Sequence, residues 1–310
     1  MDEFLNPENA AQPSPEASGS PLQLQATTPL PPEPWGIWAT VGWSVLVGGA
    51  SLIAQIAAVF VFMAVFTVAN LAANGNPRPD ALQIGKGLES NGLLLSIAVC
   101  LSSLAGSALT ILAAHLRWPG SVKPSISPLR AGTPVFPEPP APATPVESSY
   151  TWRNYLALSP ISPRILLAWM GMACLFAIAS DAVTSLLGRP IVPEFMQKAY
   201  ATAHFVPLLW IAFIIVGPVF EELFFRGFLF RGLANSKLGA VGAILVTSLL
   251  WAAIHIQYDA YGIFSIFIVG LLLGWARVRT NSIYPCIAMH CLMNFIATTE
   301  AALQHAGIMK

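Results

Sequence analysis

Charge is what this 310-residue chain has least of. Asp, Glu, Lys and Arg make up 10% of it and hydrophobic residues 55%, whereas a soluble domain carries about 25% charged residues. That scarcity excludes an ordinary soluble globular domain. A formal net charge of zero also argues against a nucleic-acid partner. Cysteine is sparse too. Cys100, Cys174, Cys286 and Cys291 all fall in apolar stretches without a CxxC spacing, which argues for buried free thiols. The first 34 residues contain no Lys or Arg and no apolar core, so no secretory signal is expected and the first spanning helix should do the targeting. The in/out alternation of a membrane barrel is absent as well, which leaves helices as the spanning elements.

What the chain has instead is a series of apolar runs, each close to the roughly 20 residues that a bilayer core of about 30 Å requires. The organisation read from them begins with a Pro/Ala-rich tail over 1–34, too polar to offset its ordering entropy and therefore expected to be disordered. Two N-terminal spans follow within 35–118, at about 40–70 and 90–116. A Pro-rich cytoplasmic linker, including "FPEPPAPATPVESS", occupies 119–163 and should be extended. A transmembrane core over 164–300 completes the chain, with helices at about 163–187, from 206 to beyond 226, 240–257, 261–275 and 283–299. The segment 261–275 is short for a full span. The fold class expected is all-α, a polytopic helical bundle of about seven spans with a disordered N-terminal tail. Placing the N-terminus inside puts ten of the fifteen Lys and Arg on inner segments, as the bias of cytoplasmic connections demands.

Three sets of polar side chains interrupt the apolar background of the C-terminal half. "GPVFEELFFRG", residues 217–227, carries Glu221, Glu222 and Arg226; "WAAIH" carries Trp251 and His255; "HCLMN" carries His290 and Asn294. An ionisable side chain at membrane depth costs about 2.5–3.5 kcal/mol on insertion scales, so it persists mainly where it is paired or used. Their placement on three successive helices points to one shared site. Glu222 and Arg226 are four apart and share a helix face, so they pair and buttress the structure. Glu221 points about 100° away. Without that partner, a carboxylate in a poorly solvated place becomes a useful general base. Pro218 removes one helix bond, freeing the carbonyl of Ile214, and should bend the helix just before the pair. His255 can share a water with Glu221. His290 and Asn294, also four apart, can aim hydrogen-bond donors at a developing oxyanion. The set contains a base, an imidazole for water and oxyanion donors, but no nucleophilic side chain, which predicts direct attack of water on an amide. His115, His204, Asp181, Glu300 and His305 sit near helix ends and are expected to be non-catalytic, "LFFRGFLF" to serve packing and lipid contact, and Arg231 to anchor the interface.

These residues resemble a known family. "EELFFR" fits the EExxxR motif, His255 fits FxxxH with Trp251 standing where the family has Phe, and "HCLMN" fits HxxxN. Residues 205–297 are thus similar to the CPBP family, the CAAX proteases and bacteriocin-processing (Abi) intramembrane glutamic endopeptidases. The resemblance implies that Glu221 and His255 activate water, that His290 and Asn294 stabilise the oxyanion, and that Glu222, Arg226 and Trp251 support the site. It further implies an enzyme needing no cofactor, acting on a peptide or membrane-protein substrate in or near the lipid bilayer, in a bacterial cytoplasmic membrane. The alternatives are a metal-dependent version of the same protease, since His and carboxylate suit zinc, and a non-catalytic scaffold or bacteriocin-immunity factor. HExxH, GxSxG and GxGD motifs are all missing, which disfavours zincin-like metallo-, serine and aspartyl chemistries. No inverted repeat supports a transporter.

Overall fold

The computed structural model describes residues 32–74, 91–119 and 150–309. Most of the 1–34 tail, and residues 120–149 of the Pro-rich linker, lie outside the described residues. Among the described residues the chain forms helices and no strands, apart from one bridge between Pro119 and Thr151. The helices are α1 (Ile37–Asn74), α2 (Gly92–Arg117), α3 (Trp152–Tyr155), α4 (Pro163–Leu186), α5 (Glu194–Ala201), α6 (Val206–Ala234), α7 (Gly239–Ala253), α8 (Ala260–Thr280) and α9 (Tyr284–His305). Six of them, α1, α2, α4, α6, α8 and α9, are long and apolar enough to cross a membrane, and α7 is apolar but only 15 residues long. At 1.5 Å per residue α7 reaches about 22 Å, short of a bilayer core.

The expected seven helices are therefore six spans and one short helix, and the short one is α7 rather than α8. Helix α8 runs on past Trp275 because Arg277 does not end it. That side chain is 3% exposed and turns inward, its Nε–H donating to the carbonyl of Arg226 at 3.0 Å and Nη1 to Asn281 Oδ1 at 3.1 Å. Asn281 then closes α8 in the left-handed region, at φ 48°. The start of α8 is capped by Asp259, whose carboxylate accepts from the N–H of Gly262 at 2.9 Å. Ser162 and Asn91 cap α4 and α2 in the same way.

Residues 150–162, expected as the end of the linker, are packed instead. Tyr155, Leu156 and Ala157 are buried, the carbonyl of Ala157 accepts from Ile283 N–H at 3.0 Å, and Ser282 Oγ donates to the Ser159 carbonyl at 2.7 Å. This strap ties the loop before α9 to the centre of the bundle.

Helix α6 is that centre. Every residue from Leu223 to Phe230 is buried, so "LFFRGFLF" serves packing and not lipid contact, with Phe228 at 5.8 Å from the Tyr155 ring. The outward faces of α1 and α4 carry Val45, Ile53, Phe60, Leu167, Leu175 and Ile178, all exposed, as lipid-facing helices require. Close approach between helices depends on glycine. A Cβ on Gly106 of α2 would lie 2.3 Å from the Phe220 ring, and one on Gly270 of α8 would lie 2.8 Å from Ser248 Cβ. All four cysteines are free, and Cys286 is buried.

Candidate active site

The site begins with an irregular backbone. Within α6 the segments Ile211–Val216 and Leu223–Leu229 are wound as π-helix, flanking the regular turn Gly217–Glu222. Single π turns inside helices are frequent at functional sites. In the first of them Gly217 N–H bonds to Ala212 O, five residues back. Continuing that register sets the Phe213 carbonyl opposite residue 218, which is a proline without an N–H. The freed acceptor is thus Phe213, one residue earlier than the α-helical count of Ile214. Asn294 Nδ2 on α9 donates to it at 2.7 Å. Asn294 therefore has one amide N–H committed to the backbone beside the glutamates, and its second N–H remains.

Glu222 is the buried anchor. Its side chain and that of Arg226 are both 0% exposed, and Arg226 Nη1 donates to Glu222 Oε1 at 2.9 Å. The same oxygen lies 2.9 Å from His290 Nδ1. A carboxylate paired with arginine can only accept, so Nδ1 of His290 carries the hydrogen and Nε2 faces the other way. Arg226 Nη2 reaches the Gly270 carbonyl at 3.4 Å, and its guanidinium lies 4.5 Å from the Trp251 ring centroid, within cation–π range.

Glu221 is the open carboxylate. Its side chain keeps 22% exposure beside the fully buried Glu222, and His290 Nε2 stands 4.0 Å from its Oε2. The indole N–H of Trp251 donates to that same oxygen at 2.5 Å. Trp251, 3% exposed, also holds the two histidines, its ring edge-on at 5.2 Å to His255 and 5.1 Å to His290. His255 Nδ1 lies 2.7 Å from the Trp251 carbonyl. A carbonyl accepts only, so Nδ1 is the protonated nitrogen and Nε2 presents its lone pair. Glu221, His255 and His290 are thus gathered around one indole. The short α7 brings Trp251 and His255, at its C-terminal end, to α6 at the level of Glu221. Asn294 lies on the same helix face as His290, with one amide N–H held by the Phe213 carbonyl and the other uncommitted.

Sequence reasoning gave Trp251 a supporting role and missed its N–H, which a phenylalanine lacks. It also missed Tyr258. Tyr258 stands 6.2 Å from the His255 ring and 6.0 Å from Phe195 of α5. Burial first, and the Glu221 charge second, push its hydroxyl up to about 12. A lone Tyr in a polar turn carries no pattern that would have revealed this. Asp259 beside it pairs with Arg189 and caps α8. As metal donors the set is thin, because Glu222 and the Nδ1 of His290 are already used on each other. Among the described residues no group of three or more His, Cys, Asp or Glu could hold a metal ion.

Comparison with known proteins covers the same segment. Residues 203–296 match the Rce1-like family, type II CAAX prenyl endopeptidases. The expected 205–297 motif region coincides with this Rce1-like match, and Glu221, Glu222, Arg226, Trp251, His255, His290 and Asn294 all lie inside it. An uncharacterised 24.3 kDa protein of Escherichia coli is 27% identical over 148 residues, 45% of this chain and 67% of that protein. UPF0177 protein YxdF of Lactococcus lactis subsp. lactis is 28% identical over 89 residues, 29% of this chain and 48% of that protein, so the chain spans about half of this relative. No solved structure matches. The six apolar helices and the Rce1-like match over residues 203–296 support an integral, multi-pass membrane protein.

Proposed function

We propose that this protein is an intramembrane endopeptidase in which Glu221 takes a proton from water as that water attacks a peptide carbonyl. The observation that carries the reading is the division of labour between the two glutamates. Glu222 is fully buried with Oε1 held by both Arg226 and His290, out of reach of solvent, while Glu221 keeps an exposed face and a single indole donor. A general base must reach its water, and only the second arrangement allows that.

The reaction then needs three things from the remaining groups. His255, with Nδ1 donating to the Trp251 carbonyl, offers the Nε2 lone pair to orient the water's second hydrogen. As the tetrahedral intermediate forms, its oxyanion requires donors. His290 supplies one from Nε2 in its imidazolium form, with Nδ1 staying on Glu222 Oε1. Asn294 supplies another from its second amide hydrogen. The proton held by Glu221 is finally passed to the leaving amine as the C–N bond breaks. One water is consumed, and one carboxylate and one amine are produced. The substrate is a peptide or membrane protein, entering from the bilayer or its surface; the orientation with the N-terminus inside follows from the Lys and Arg asymmetry.

The test is cleavage by the purified full-length protein in proteoliposomes, using a peptide library with and without a prenylated cysteine near the C-terminus. Reaction in ¹⁸O-labelled water should place the label in the new carboxylate during a single turnover. Retained cleavage after chelation is the expected result, and complete loss reversed by zinc would replace this reading with the metal-dependent one. Normal cellular phenotype in a Glu221→Gln strain would favour the non-catalytic scaffold.

A further inference from the structure

A second site lies at the end of the bundle that carries Arg117, Arg153, Arg231 and Arg277. A cavity of about 440 Å³ opens there between the end of α6, the start of α7, the end of α8 and the residues after α2, within the roughly 300–1,000 Å³ of small-ligand sites. Its wall includes Trp118, Arg231, Asn235, Arg277, Asn281 and, opposite them, Glu33.

The cations are what the fold leaves unexplained. Arg231 and Arg277 stand close enough for the charge of one to act on the other, yet neither has a carboxylate within 4.0 Å among the described residues. Arg277 is 3% exposed. Its Nε and Nη1 are held by the Arg226 carbonyl and Asn281, which fixes the guanidinium without neutralising it. Arg231 bonds the Asn154 carbonyl through Nη2 and lies over Trp118 at 5.2 Å and Tyr155 at 5.7 Å. Two buried donors in this wall have no partner: Arg231 Nε and the indole N–H of Trp118, a residue 2% exposed. Desolvated like charges side by side are costly unless an anion joins them. An arginine pair with adjacent N–H donors matches phosphate geometry, and a basic, tryptophan-lined pocket between helix ends sits where lipid headgroups lie.

We propose that this cavity binds a phosphate-bearing anion, bridged by Arg231 and Arg277 with the Trp118 indole as an added donor. The phosphate is that of an anionic lipid headgroup or of a free small molecule. Glu33 forms the exposed opposite wall and weakens the site by repulsion.

The experiment measures thermal unfolding of the full-length protein, delipidated in detergent, against three additions: phosphatidylglycerol, phosphatidylcholine and inorganic phosphate at constant ionic strength. Phosphatidylglycerol should stabilise more than phosphatidylcholine if the source is lipid, and inorganic phosphate more than chloride if it is free; either supports the site. Arg231→Gln should weaken the apparent affinity about fivefold, the loss expected for one arginine at a headgroup, and Arg231→Lys should recover most of it. Because Arg231→Gln removes packing against two rings, Glu33→Gln is the companion variant: its side chain is exposed, and it should tighten binding. No stabilisation by either phosphate source overturns the proposal. So does an unchanged response in Arg231→Gln, or weaker binding in Glu33→Gln, which would make Glu33 the internal counter-ion.

Discussion

Deleting the Asn294 side chain should cost stability through the backbone of α6, and that cost should depend on Pro218. In Asn294→Ala the Phe213 carbonyl loses its 2.7 Å donor. No chain N–H replaces it, because the residue five positions on is proline. Leaving this part-buried carbonyl unsatisfied should cost about 1 kcal/mol, the low end of the range for buried polar groups. Pro218→Ala restores an N–H at the position where the π register needs one. In the native background that N–H is largely redundant, since the carbonyl is already bonded. In the Asn294→Ala background it should recover about 1 kcal/mol. The four proteins form a double-mutant cycle, measured by reversible unfolding in mixed micelles followed by far-ultraviolet circular dichroism. The cycle should give a coupling of about 1 kcal/mol, above the roughly 0.3–0.5 kcal/mol scatter of independent sites. Strict additivity would show that Asn294 does not compensate for the proline, and the account of the irregular α6 backbone would fail.

Three further outcomes follow from the same geometry. Glu222→Gln strands Arg226, which is 0% exposed, so it should lose about 3–5 kcal/mol in the same unfolding assay, as removal of one partner of a buried pair does; Glu221→Gln should lose far less. Trp251→Phe keeps the ring between the histidines but removes the donor to Glu221, so kcat should fall by about 10- to 100-fold, the equivalent of about 1.5–3 kcal/mol for a hydrogen bond to a charged group, with KM nearly unchanged. Burial pushes the Tyr155 hydroxyl up from 10.0 to about 12, against the lowering by Trp35 N–H, Arg231 and Arg117. The folded state therefore holds a proton that the unfolded state releases, and stability should fall as pH rises from about 10 to about 12, by at most about 1.4 kcal/mol per pH unit. Tyr155→Phe should flatten that slope when unfolding is followed across this range.

Much of this arrangement was legible in the sequence because helices impose fixed spacings. The i to i+4 rule paired Glu222 with Arg226 and released Glu221, and apolar run length located the spans. The rule failed where the backbone leaves the α register: the π turn moved the orphan carbonyl from Ile214 to Phe213, and with it the commitment of Asn294. Charge misled the reading at α8, since Arg277 looked like a boundary and is instead folded inward onto the Arg226 carbonyl. Tertiary packing was the other blind spot. Nothing in the pattern around Tyr155 or Tyr258 distinguishes an aromatic at a water boundary from one inserted into the core, and the strap over residues 150–162 followed on from a proline-rich stretch.

The claim on which the account rests is that Glu221 is the base and Glu222 the buttress. Single-turnover cleavage of one library-selected peptide by Glu221→Gln and by the native protein, each in proteoliposomes and each first shown to unfold at a similar denaturant concentration, tests it most directly. The account predicts a loss of about 10²- to 10⁴-fold, the contribution of a positioned general base, with substrate binding retained. Turnover by Glu221→Gln at the native rate would contradict it.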